Sequence, residues 1–147
     1  MRMKRLWNGC GKPRLRVLTD TTFWIDLVEE RIARQKGKPR SSEPAHDFMA
    51  RHRAFRFSVS IVTWGELAEG FADYSALDHF IRGVHVLPLP RQVVWTGSRI
   101  QRELGKRRLR LGENDAWIAA TGLAWGKRVV TRDNRFSSVP RLNVVAY

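Results

Sequence analysis

The sequence predicts an α/β protein in which a mostly parallel sheet carries helices on both faces. Short aliphatic runs at residues 14–18, 57–60, 84–87, 129–131 and 144–146 alternate with longer segments of helical periodicity. Strands that return through helices run in the same direction, and a parallel sheet of that kind needs cover on both sides. The 147 residues suffice for one domain with a substantial core, and there is no internal repeat or low-complexity stretch.

The first strand, residues 14–18, runs into Thr19-Asp20-Thr21-Thr22, whose hydroxyls are expected to cap a helix over residues 23–34. Residues 35–44 hold Gly37, Pro39, Ser41 and Ser42 and predict an exposed loop. A helix over residues 45–53 precedes the second strand, and a third helix over residues 62–71 has Gly70 near its end. A short helix at residues 74–81 is stopped by Gly83, and Pro88 and Pro90 close the strand that follows. Residues 93–106 carry Val94, Ile100 and Leu104 at helical spacing. Gly112 and Asn114 separate that helix from another over residues 116–125, and the last two strands complete the chain.

Apolar residues make up 43% and charged residues 28%, the balance of a folded soluble domain rather than a disordered chain. No apolar run approaches the length of a membrane span. Residues 1–16 are basic but lack the apolar middle and cleavage site of a secretory signal, so the expected location is the cytoplasm and no membrane partner is expected. The single Cys10 excludes an internal disulfide, and the four histidines lack metal-ligand spacing. Lys and Arg total 27 against 14 Asp and Glu, a net charge of +13 that favours a polyanionic partner.

Ligands of a parallel sheet bind beyond the carboxyl ends of its strands. Asp20 directly follows the first strand, Glu66 sits a turn into the helix after the second, and Asp133 follows residues 129–131. Asp115 begins the helix leading into that strand. It reaches the same edge only if its helix start is folded up to that side, for instance by a break within residues 107–112. Four converging carboxylates repel one another unless a cation sits among them, and Mg²⁺ or Mn²⁺ prefers such oxygens. One or two such ions activate water for attack on a phosphodiester. Taken singly, Asp20 or Asp115 reads more readily as a helix cap than as a ligand. No Ser–His or Cys–His set offers a nucleophile instead.

Four segments taken together resemble the PIN-domain ribonuclease family, and within it the VapC-type toxins of type II toxin–antitoxin systems. They are Val17-Leu18-Thr19-Asp20-Thr21-Thr22, then Ser58-Val59-Ser60-Ile61-Val62-Thr63-Trp64-Gly65-Glu66, then Glu113-Asn114-Asp115-Ala116-Trp117, and Val129-Val130-Thr131-Arg132-Asp133. The resemblance covers residues 14–147. It implies a three-layer α/β/α domain that binds Mg²⁺ or Mn²⁺ and cleaves RNA endonucleolytically. It carries over Asp20, Glu66 and Asp115 as core acids and Asp133 as a more variable fourth. Thr22 and Thr131 fall where hydroxyls support the site, and Asn114 falls where an amide positions its neighbours. It also implies a homodimer and a small VapB-like antitoxin, from which we expect one inserted basic residue at the acids. The basic extension at residues 1–13 precedes the usual start of such domains, and the 35–44 loop is longer than a compact member needs.

Glu69, one turn beyond Glu66, reads either as a further metal ligand or as a solvated residue. Arg99, Arg102, Lys106 and Arg107, in a cluster continued by Arg108 and Arg110, are candidate RNA-phosphate contacts. Arg31, Arg34, Lys36, Lys38 and Arg40 form a second cluster. Of the six tryptophans, Trp117 and Trp125 suit packing or a dimer contact, and Trp24 suits either packing or base stacking. Other readings are a PIN nuclease in RNA processing without an antitoxin, a non-catalytic RNA-binding domain, and a receiver-like signalling domain. The last needs an acidic pair after the first strand and a lysine after the last, and the sequence has neither.

Overall fold

Five strands form one sheet in the computed structural model, which describes residues 14–147; the basic extension at residues 1–13, with Trp7 and Cys10, lies outside the described residues. The strands are β1 (Arg16–Thr19), β2 (Arg56–Ser60), β3 (His85–Leu87), β4 (Arg128–Val130) and β5 (Val144–Val145). Their order is β3-β2-β1-β4-β5, and every neighbouring pair is parallel, so the sheet is wholly rather than mostly so. Central β1 sets Val17 against Phe57 on one side and Arg128 on the other.

Six helices cover the sheet: α1 (Thr21–Gln35), α2 (Pro44–Arg51), α3 (Ile61–Ala68), α4 (Tyr74–Phe80), α5 (Arg91–Lys106) and α6 (Glu113–Ala124). Alternation along the strands divides the core in two. Val17, Val59 and Val130 pack with Phe23, Trp24, Leu27, Phe48 and Leu77 from α1 to α4. Leu18 and Val129 point to the other face and meet Ile100, Leu104 and Ile118 from α5 and α6. Each such large side chain, fully buried, contributes on the order of 1.5–3 kcal/mol. The three-layer expectation therefore holds, with boundaries displaced by a few residues.

Those displacements have local causes. The helix after β1 starts at Thr21, capped by the Asp20 carboxylate rather than by a hydroxyl, because Oδ1 accepts from the Phe23 N–H at 3.0 Å. Ser60 caps α3, and that helix ends at Ala68, short of the expected residue 71. The start of α2 is capped in trans. Buried Glu30 of α1 accepts from the N–H groups of Ala45 (3.1 Å) and His46 (2.8 Å), while Glu43, the residue before the helix, pairs with Arg34. A 3₁₀ turn over Asn134–Ser138, which sequence periodicity missed, follows β4 and buries Phe136.

The helical hairpin of α5 and α6 matters most for function. At Gly97 a Cβ would stand 2.6 Å from the Trp117 ring, so glycine is what lets the two helices close. Between them, Arg108 adopts a left-handed φ of 57°. The Gln101 amide clamps Leu111 from both sides, donating to its carbonyl at 2.7 Å and accepting from its N–H at 3.0 Å. This is the break that the sequence suggested, and α6 begins at Glu113, so Asp115 lies in its first turn.

Candidate active site

Asp20 is the fixed point of the site. It is 3% exposed, its Oδ1 caps α1, and its Oδ2 accepts from the Thr131 hydroxyl. The Thr131 oxygen in turn accepts from the Asp133 N–H at 3.0 Å, which joins the ends of β1 and β4. Burial pushes the Asp20 carboxyl up to about 6, and the negative charges of Asp115 and Asp133 add to that; the Thr131 and Phe23 hydrogen bonds oppose it.

Glu66, on α3, is oriented by two donors. Thr21 donates its hydroxyl to Oε2, and the Asn114 amide donates to Oε1 at 2.8 Å. This second bond ties α3 to the first turn of α6, and so places Asp115 beside the other acids. Burial raises the Asp115 carboxyl, with Asp133 and Glu66 adding to the shift and Arg135 opposing it.

Arg135, in the 3₁₀ turn, joins two of these acids. Its guanidinium contacts Asp133 Oδ2 at 2.6 Å and Asp115 Oδ2 at 3.3 Å, and it holds the Asp133 carboxyl below the usual range. A cation thus already stands among the carboxylates, supplied by the chain itself. As the side chains stand, no three His, Cys, Asp or Glu among the described residues are close enough to share one ion.

The structure brings Asp20, Glu66, Asp115 and Asp133 to one edge, with Thr131 and Asn114 in contact with them. The supporting hydroxyl of the first turn is Thr21 rather than Thr22; no hydrogen bond of the Thr22 side chain occurs among the described residues. Glu69 is the exposed C-cap residue of α3, and no hydrogen bond or ion pair of its side chain occurs among the described residues. Trp24 is a core residue whose indole N–H donates to Thr19 Oγ1 at 2.6 Å.

Sequence reasoning passed over Arg135 and a buried carboxylate behind the site. Asp26 accepts from Arg132 (3.1 Å) and from the Tyr147 hydroxyl (2.7 Å), which fastens the turn between Thr131 and Asp133 to α1. Burial and this bond raise the Tyr147 phenol well above its ordinary range. The only available signal was the position of Arg132 between two site residues.

The two basic clusters differ in their commitments. Arg34 and Arg40 are paired with Glu43 and Glu29. Arg99, Arg102, Lys106 and Arg107 are exposed and make no ion pair among the described residues, although Arg99 stacks over Trp95 at 4.3 Å. Arg99 and Arg102 line a depression with Glu113, Ala116 and Trp117 of α6.

A parallel α/β/α sandwich with acids gathered over the carboxyl ends of its strands defines a class, and the chain belongs to the PIN domain family, whose model matches residues 17–142. It is 29% identical over 104 residues to Ribonuclease VapC4 of Mycobacterium tuberculosis, a match covering 65% of this chain and 80% of that protein. Its fold is similar to that in the promoter-DNA-bound VapBC2 structure of Rickettsia felis, at 15% identity and a TM-score of 0.72 over 90% of this chain and 98% of that one. The DNA-bound VapBC structure of Salmonella typhimurium gives 21% identity and a TM-score of 0.71, with the same coverage.

Proposed function

We propose that this chain is a Mg²⁺- or Mn²⁺-dependent endoribonuclease and the toxin of a VapBC-type toxin–antitoxin pair. The observation that carries the reading is the convergence of Asp20, Glu66, Asp115 and Asp133 in a net +13 protein, with a cation, Arg135, drawn in among them. Membership of the PIN family and the ribonuclease identity of the mycobacterial relative support it. The nuclease domain is residues 14–147, and the enzyme works in the cytoplasm; among the described residues no helix is long and apolar enough to cross a membrane.

The donor set fits a hard divalent ion, because every charged candidate ligand offers carboxylate oxygen, and burial makes the negative charge of Asp20 and Asp115 costly without a cation beside it. Such an ion supplies charge that activates water and stabilises the leaving oxygen. Asp20 is held by the α1 N-terminus and Thr131, and Glu66 by Thr21 and Asn114, so neither reorients between turnovers. Arg99, Arg102, Lys106 and Arg107 on the neighbouring helix position the RNA phosphates. A homodimer and a VapB-like antitoxin complete the assembly, and the antitoxin's inserted basic residue replaces the metal's charge as Arg135 does in part.

Arg135 must leave Asp115 and Asp133 when metal binds. Arg135→Gln is therefore expected to tighten Mn²⁺ binding about three- to tenfold, the scale of roughly 1 kcal/mol for a partly exposed ion pair. Titration calorimetry reads this directly, and unchanged or weaker binding would remove Arg135 from the site's charge balance.

The function is tested by expressing the chain with and without the product of a neighbouring short reading frame. Expected are growth arrest by the chain alone, a stable complex when both are made, and metal-dependent RNA cleavage once the partner is proteolysed. A chain that cleaves RNA yet is harmless and binds no neighbouring product would be a processing nuclease. One that binds RNA but never cleaves it would be a non-catalytic module.

A further inference from the structure

Four adjacent strands open on a basic residue: His85 in β3, Arg56 in β2, Arg16 in β1 and Arg128 in β4. Because every pair is parallel, these openings share one edge of the sheet, opposite the edge that carries the acids. Arg14, Arg16, Arg56, Arg82 and Lys127 line a single groove there, and no carboxylate lines it. Phe55 and Phe57, both half-buried, form part of its walls.

This crowding costs the fold stability. Arg16 and Arg56 are direct register partners on strands about 4.8 Å apart, where like charges repel. Burial and the charge of Arg16 hold the Lys127 ammonium below its usual range. None of these cations makes an ion pair among the described residues, and Arg56 and Arg82 are exposed. The preceding residues 1–13 add Arg2, Lys4, Arg5 and Lys12 and contain no acid, so they cannot neutralise the rim. Strand formation favours β-branched residues at such positions and does not call for arginine. An anion would turn the repulsion into attraction.

We propose that this amino-edge groove is a second phosphate-binding surface, which grips the backbone of a folded RNA while another part of that RNA lies at the acids. The proposal rests on the ribonuclease reading and adds a second contact surface for the same RNA. The basic row crosses four strands, a span of about 14 Å that fits several consecutive phosphates better than one small anion. Guanidinium forks bond phosphate oxygens in pairs, and the phenylalanine faces suit a sugar or base, which an acidic peptide would not need. Strands of three to five residues separate the two edges by roughly 10–17 Å before loops are added. At about 3.4 Å or more per nucleotide, a dinucleotide engaged at the acids does not reach the groove, whereas a stem-loop or larger folded RNA does.

The test uses the full chain carrying Asp115→Asn, with a labelled stem-loop RNA and a single-stranded dinucleotide. Adding Arg56→Gln and Arg82→Gln should weaken stem-loop binding about tenfold and lower its salt slope by about 1.5–2, one phosphate contact per lost charge. Dinucleotide affinity should change less than about twofold, and a melting curve confirms folding. Unchanged stem-loop affinity and slope in a folded double variant would overturn the proposal. So would a double variant that loses affinity for poly-glutamate but not for the stem-loop, since the groove would then take an acidic protein segment. Failure of the ribonuclease reading appears separately: the unsubstituted chain would cleave neither RNA with Mg²⁺ or Mn²⁺.

Discussion

Asp115→Asn is expected to reduce metal-dependent RNA cleavage by more than about a hundredfold in a protein that stays folded. Even outer-shell partners of a metal site cost about 10–100-fold when replaced, and Asp115 stands as a direct ligand candidate. The substitution keeps the side chain's shape and one oxygen but removes its charge. Asp115 is half-buried in the first turn of α6, and no core contact depends on that charge. Arg135 loses one partner yet keeps Asp133, so the 3₁₀ turn stays in place. Cleavage of a defined RNA in Mg²⁺, alongside a thermal melt, measures both halves of the expectation. A folded variant that cuts at the parent rate would remove Asp115 from the active site and take the metal reading with it.

Asp20→Asn should stabilise the metal-free protein at neutral pH, although it too is expected to abolish cleavage. The Asp20 carboxyl titrates near 6 in the folded chain, whereas an unfolded aspartate titrates near 3.9. Below about pH 4 the group is neutral in both states and carries no penalty. Between about 4 and 6 the unfolded chain releases its proton first, so stability is lost as pH rises. Above 6 the loss is constant, on the order of 2–3 kcal/mol. Asparagine keeps the Oδ1 cap on the Phe23 N–H, and loss of the charged Thr131 bond takes back part of the gain. Melts in EDTA should therefore show the variant above the parent at pH 7, with the gap closing toward pH 4. A parent that gains stability over the variant between pH 4 and 7 would contradict this account of Asp20.

Much of the site was legible because its acids sit at junctions where local pattern is informative. Asp20 follows the aliphatic run of β1, Glu66 lies in the helix that Ser60 caps, and Asp133 comes just after Thr131 closes the β4 run. The expected edge of a parallel sheet then gathers them. The choice between Thr21 and Thr22 was not legible. Adjacent residues of a first helical turn differ by about 100° in direction, and only the position of Glu66 on α3 selects one. The choice between the two basic clusters was likewise tertiary, since Glu29 and Glu43 lie near Arg40 and Arg34 only once α1 and α2 have packed.

By itself the sequence determined the alternation of strands and helices, the parallel sheet, the wholly oxygen-based donor set and the excess of positive charge. Those follow from hydrophobic periodicity and composition, which are local or global sums and need no knowledge of packing. Tertiary structure decided how Asp115 comes to the acids, through the Gln101 clamp on Leu111 and the close approach of α5 and α6 at Gly97. It also decided that Arg135 bridges Asp115 and Asp133, and that four strands align their basic first residues along one edge. Each of these brings together residues of separate elements, and their meeting depends on helix packing and strand register, which hydrophobic periodicity and composition do not contain.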